Sequence, residues 1–133
     1  YEAALKASPD SPMLLNNLAL LYAREGKPES IDYARRAYAQ LPGEPEVADT
    51  LGWALVLNGQ AADGLKYLRE AQARYANDPG NSYHIAYALA QLRRPEEALQ
   101  ALGVAFSQDR PFPERQDALK LRRKLQSGSS DTP

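Results

Sequence analysis

The chain has 133 residues and a formal net charge of −1, with a single histidine and no cysteine. This length allows one domain with a buried core, and the absence of cysteine excludes disulfides and thiolate metal sites. The near-neutral charge offers no basic surface for a nucleic acid, and the longest apolar run, Leu51 to Leu57, is far too short to insert into a membrane.

Apolar residues recur along the chain at spacings of three and four, which is typical of amphipathic helices, and no strand pattern is found. Prolines separate these segments. Pro12, Pro45 and Pro113 fit the first positions of helices, whereas Pro42 and Pro79 fit turns. The pattern predicts an all-α chain with seven helices, in order at 12–25, 28–40, 45–58, 61–76, 80–92, 95–108 and 113–126.

Several residue types recur with a step of 33 or 34 residues. A branched aliphatic residue followed by a small one appears at Leu18-Ala19, Leu51-Gly52 and Ile85-Ala86. Two more series of small residues keep the same step: Ser30, Gly64 and Ala98, and Ala4, Ala37, Ala71 and Ala105. Because independent markers share one period, the sequence predicts a repeat array.

The second copy reads Ala48-x2-Leu51-Gly52-x2-Leu55 and then Gly64-x3-Leu68. It resembles the tetratricopeptide repeat, W-x2-L-G-x2-Y followed by A-x3-F, although no copy has tryptophan at the first motif position. The likeness runs from residue 1 to about residue 106 and implies an α-solenoid of helix hairpins. It also implies that Gly52 and the matching alanines lie where the two helices of a hairpin approach closely.

The predicted solenoid domain covers 1–126, and its full repeats are expected at 10–43, 44–79 and 80–110. Residues 1–9 match the end of a second helix, so we expect a partial N-terminal helix from a truncated repeat of a longer protein. That end is expected to fray or to self-associate. Residues 113–126 break the period and predict a capping helix, followed by a polar, disordered tail at 127–133.

The sequence contains no motif for catalysis, for a metal or for a cofactor. His84 has no carboxylate three or four residues away, which predicts a partly exposed helix histidine rather than a catalytic or metal-binding one. No G-x-x-x-x-G-K phosphate loop is present. We interpret the basic stretch LRRKL at 121–125 as favourable charge near a helix C-terminus. We therefore expect no enzymatic activity and no cofactor.

A helical wheel places Trp53 about 150° from the packed face of its helix. By the resemblance, that face of the first helices lines a concave groove, with His84 near its rim. The candidate groove residues are Asn16, Leu20, Arg24, Asp49, Trp53, Leu57, Tyr83, His84, Tyr87 and Gln91. Trp53 either anchors a ligand in the groove or fills the seam between neighbouring first helices, and both interpretations stay open.

An aromatic cluster in a groove predicts an interaction scaffold that docks a peptide or helical segment of a protein. Two alternatives stay open: a purely structural or self-associating solenoid segment, and a regulatory appendage of an enzyme. Some tetratricopeptide proteins bind acidic tails, but Asp49 is expected to repel such a tail here.

A second resemblance rests on DTLGWALVLNGQAADGLKYLREA and YHIAYAL. These segments are similar to the C-terminal repeats of large bacterial arrays in exopolysaccharide export, including lipoproteins linked to PEP-CTERM sorting. That likeness implies a periplasmic or outer-membrane-associated parent protein, with a cytoplasmic one as the alternative.

Overall fold

The computed structural model describes residues 11–76, 78–108 and 111–127, and the regular structure within these ranges is entirely helical. The helices are α1 (Pro12–Arg24), α2 (Glu29–Gln40), α3 (Pro45–Leu57), α4 (Ala61–Arg74), α5 (Pro79–Gln91), α6 (Pro95–Ser107) and α7 (Arg115–Gln126). The predicted all-α fold is confirmed, and each helix bound lies within two residues of its prediction. The predicted partial helix at 1–9 lies outside the described residues.

Consecutive helices pack as three antiparallel hairpins, α1–α2, α3–α4 and α5–α6, which stack as a solenoid. The first helices of neighbouring hairpins contact each other directly. One branched aliphatic residue of each first helix is fully buried, and so is one apolar residue of each second helix. They follow steps of 33 and 34 residues: Leu18, Leu51 and Ile85 in the first helices, and Ala34, Leu68 and Leu102 in the second helices. Helix α7 packs on α5 and α6, and none of the described helices has both the length and the apolar character needed to cross a bilayer.

Proline opens every first helix. Pro12, Pro45 and Pro79 each occupy the first helical turn, where the missing N–H removes no helix hydrogen bond. The prediction that Pro79 lies in a turn was therefore wrong, because this proline repeats the helix-opening role of Pro45 after one period. Pro113 was placed at a helix start and instead lies in the turn that precedes α7.

The close approach predicted at Gly52 is confirmed. A Cβ atom on Gly52 would lie 2.7 Å from the carbonyl oxygen of Gly64 and 2.8 Å from Cγ of Leu68. A Cβ atom on Gly64 would in turn lie 2.5 Å from the carbonyl oxygen of Gly52. The two glycines thus let the backbones of α3 and α4 approach closely.

Candidate functional site

Four aromatic rings from two neighbouring first helices form one cluster. Trp53 in α3 stacks on His84 in α5, with ring centroids 4.0 Å apart and planes 19° apart. Its other neighbours are Tyr87, at 5.1 Å, and Tyr83, at 5.8 Å. Helices α3 and α5 run parallel, because Asp49 meets Asn81 near their starts and Trp53 meets Tyr87 further along both. The repeat period therefore brings these rings together.

Trp53 fills the seam between α3 and α5 and also borders a pocket. Only 7% of its surface is exposed, and Tyr83 is buried as well, whereas Tyr87 is partly exposed. Tyr83 keeps its proton, because burial, followed by the charges of Asp117 and Glu114, raises the pKa of its hydroxyl. The aromatic cluster is therefore mostly buried in the packing between α3 and α5, and one edge of it faces the pocket.

The expectation of a partly exposed His84 near a rim was wrong. The ring is buried, and both of its nitrogens are bonded: Nδ1 lies 2.9 Å from Oδ2 of Asp49, and Nε2 lies 2.5 Å from Oε2 of Glu114. These carboxylates lie 35 residues before and 30 residues after the histidine. They therefore do not follow from the residues three or four positions away on the same helix.

The surroundings of His84 hold it in the protonated form. Burial alone lowers its pKa, but the charges of Asp49 and Glu114 and their hydrogen bonds outweigh burial and raise the pKa of His84 to about 10. Both ring N–H groups then donate, one to each carboxylate. The amide of Asn81 donates to the second oxygen of Asp49, at 2.8 Å, and to the carbonyl of Leu68, at 3.1 Å. Three helices and the turn before α7 are linked by this network.

The aromatic edge opens into a pocket of about 670 Å³ between the first helices and α7. The first helices contribute Arg24, Leu57 and the three aromatic residues Trp53, Tyr83 and Tyr87. The other wall is the turn before α7 and α7 itself, with Pro113, Glu114, Asp117, Lys120, Leu121 and Lys124. None of these residues before and in α7 was predicted from the sequence to lie in a site, although the spacing of Asp117, Lys120 and Lys124 indicates one face of a helix.

The pocket combines five of the ten candidate groove residues: Arg24, Trp53, Leu57, Tyr83 and Tyr87. The others lie elsewhere. Asn16 is 1% exposed, and neither polar atom of its side chain has a hydrogen-bond partner among the described residues. Leu20 packs partly buried against the core, and Gln91 is half-buried away from the pocket lining. His84 lies beneath Trp53 rather than on the pocket wall.

Asp49 does not face the aromatic pocket either. One of its oxygens bonds His84 and the other bonds Asn81, and it borders a separate cavity with Glu44, Glu46 and Asp78. Its charge is therefore largely compensated by the protonated histidine. The expected repulsion of an acidic segment by Asp49 does not apply at the aromatic pocket. Among the described residues, no group of acidic or histidine side chains could hold a metal ion.

The buried position of Trp53 predicts its fluorescence. Because only a small part of the ring meets solvent, we expect emission at short wavelength and little quenching by iodide. The signal is specific, since the chain has one tryptophan. An emission maximum close to that of free tryptophan, with strong iodide quenching, would contradict the packing of Trp53 against α5.

The comparison with known proteins identifies the repeat. A family model described as "Anaphase-promoting complex, cyclosome, subunit 3" matches residues 29–105, which run from the start of α2 into α6. No curated protein matches the chain. The matched segment contains more than half of the sequence and the hairpins that build the aromatic cluster. The chain therefore belongs to this family of tetratricopeptide-type helical repeats.

Proposed function

We propose that the pocket between the first helices and α7 binds a segment of another protein. Helical repeats of this type suggest an interaction scaffold, and the fold is typically non-enzymatic. The observation that carries the proposal is the aromatic edge of Trp53, Tyr83 and Tyr87 inside a pocket of about 670 Å³. Tryptophan and tyrosine dominate binding hot spots because they combine a large apolar surface with a polar atom.

The lining favours a segment with one large apolar side chain flanked by carboxylates. Leu57 and Leu121 extend the aromatic surface, so that an apolar anchor is enclosed from both walls. Arg24 and Lys120 bring positive charge to the lining, whereas Glu114 is already bonded to His84 and Asp117 adds negative charge. Complementary charge across an interface selects partners and speeds their encounter.

Short peptides test this proposal, with Trp53 emission as the readout. The probe is acetyl-Ser-Glu-Phe-Glu-Ser-amide, and its controls replace both glutamates by lysine or the phenylalanine by alanine. We expect the probe to bind about tenfold or more tightly than either control, which corresponds to about 1.4 kcal/mol. The purely structural alternative, in which the groove stays empty, predicts no binding of any of the three peptides.

Protein variants locate the binding. Lys120→Glu is expected to weaken the acidic probe about tenfold, because it reverses a charge on the pocket lining. Lys66→Glu makes the same change at an exposed position of α4 away from the pocket and is expected to bind like the wild type. An equal loss in both variants would contradict binding at this site.

The likeness to repeats of exopolysaccharide export systems stays a prediction about the parent protein. The family match lends it no support, and the proposed docking does not depend on it. A periplasmic or outer-membrane-associated parent would be tested by the compartment in which the native protein is found.

A further inference from the structure

We propose that α7 is a movable wall of the pocket and that the bond from His84 to Glu114 is the latch that holds it closed. This inference rests on the proposed function for what the open pocket accepts. The movement itself is independent of any ligand, so it can be tested on the protein alone.

Helix α7 is anchored much less firmly than the repeats. It buries two of its residues, Ala118 and Leu121, whereas α5 buries ten and the second helices α2 and α6 bury three each. Unlike α2, α3, α4 and α5, which have packed helices on two sides, α7 packs only on α5 and α6 among the described helices. Leu125 adds a partly buried apolar contact with the core, and the guanidinium of Arg122 lies over the ring of Phe106, at 4.3 Å. Elements with few buried contacts are those that open locally while the rest of a protein stays folded.

The two bonds of His84 have different roles. Asp49 lies in α3 and is fixed on its other side by Asn81, so this half of the network belongs to the repeats. Glu114 lies in the turn that leads into α7, so the other half ties α7 to the repeats. When α7 moves away, His84 keeps Asp49 as its partner, and no buried charge is left alone in the solenoid. The bond between His84 and Glu114 can therefore break, and α7 can move away, while the packing of the repeats is retained.

Release of α7 changes the pocket directly. The α7 wall supplies Leu121, Lys120 and the neighbouring residues that close the pocket opposite the aromatic edge. Without this wall, Trp53, Tyr83 and Tyr87 form an open surface that can accept a segment longer than the closed pocket allows. The latch thus regulates how much of the aromatic surface a partner reaches.

Hydrogen exchange on three variants of the whole chain tests the latch. In Glu114→Ala we expect the amides of residues 118–125 to exchange about tenfold or more faster, since a charge-assisted bond is lost. The amides of residues 81–90 are expected to keep their wild-type rates. Glu114→Gln should show a smaller effect, because its amide oxygen still accepts a bond from His84. Asp117→Asn removes a carboxylate in the first turn of α7 that has no bond to His84, so it controls for the loss of negative charge alone, and a smaller acceleration than in Glu114→Ala is expected.

Trp53 gives a second readout, since release of α7 exposes its edge and increases quenching by acrylamide in Glu114→Ala. Unchanged exchange in residues 118–125 of Glu114→Ala would overturn the latch. Equal acceleration in α5 and α7 would also overturn it, because the two helices would then open as one unit. Neither result bears on whether peptides bind the closed pocket, so the proposed function is tested separately.

Discussion

Replacing Gly52 by alanine is expected to destabilise the protein by about 1–3 kcal/mol, although alanine is the better helix former by about 1 kcal/mol. The added Cβ would lie 2.7 Å from a backbone oxygen of Gly64, which no side-chain rotation can relieve. Cγ and Cδ2 of Leu68 are nearly as close, at 2.8 and 2.9 Å. The hairpin must therefore open to admit a single methyl group, and Gly52→Leu is expected to cost more.

Gly103 provides the matched control. It lies in the interior of α6, is exposed, and would meet no atom within 4 Å if it carried a Cβ. Gly103→Ala should therefore gain helix stability of about 0.5–1 kcal/mol. Urea unfolding of both variants measures this difference in unfolding free energy. A Gly52→Ala protein at least as stable as the wild type would contradict direct backbone contact between α3 and α4.

Replacing His84 by leucine is expected to cost about 3 kcal/mol of unfolding free energy, at the lower end of the range for breaking a buried ion pair. The carboxylates of Asp49 and Glu114, whose side chains are 18% and 25% exposed in the native protein, lose their shared partner. The stacking of the imidazole on Trp53 is lost as well. Chemical denaturation measures the loss, and a variant within 1 kcal/mol of the wild type would contradict the paired arrangement.

The same histidine predicts how stability depends on pH. Its pKa is about 10 in the folded chain and 6.5 without the fold, so the native state binds more protons between these values. The stabilisation from His84 is complete below pH 6.5, decreases by up to about 1.4 kcal/mol per pH unit above it, and is lost as pH passes about 10. Because the chain has one histidine, a His84→Gln variant should lack this decrease. If the unfolding free energies of the two proteins changed in parallel between pH 6.5 and 9, this pH dependence would not come from His84.

The helices and their pairing could be predicted because the residues that determine them are close together in the sequence and recur in each repeat. Pro12 and Pro45 mark helix starts one period apart, and the step that relates Ala19, Gly52 and Ala86 identifies the close approach. The same periodicity could have corrected Pro79, which follows Pro45 by 34 residues. Pro79 differs in this from Pro42, which lies in the turn between α2 and α3.

The candidate site could be predicted only in part, because half of it comes from outside the repeats. Trp53, Tyr83 and Tyr87 follow from the period, but α7 breaks it, and nothing in the spacing of 113–126 determines which face of the solenoid it covers. The partners of His84 lie on α3 and before α7, so its burial depends on packing between distant segments. The burial of Asn16 could not be predicted either, because nothing in the sequence around it distinguishes a buried asparagine from an exposed one.

The central claim is that a protein segment docks between the first helices and α7. It is tested most directly by using NMR to map where the acidic probe peptide binds. The account predicts chemical-shift changes at the Trp53 indole N–H, at Tyr83 and Tyr87, and along the face of α7 that carries Lys120. Changes confined to the second helices or to the cavity beside Glu44 and Asp78, or no changes at millimolar peptide, would contradict it.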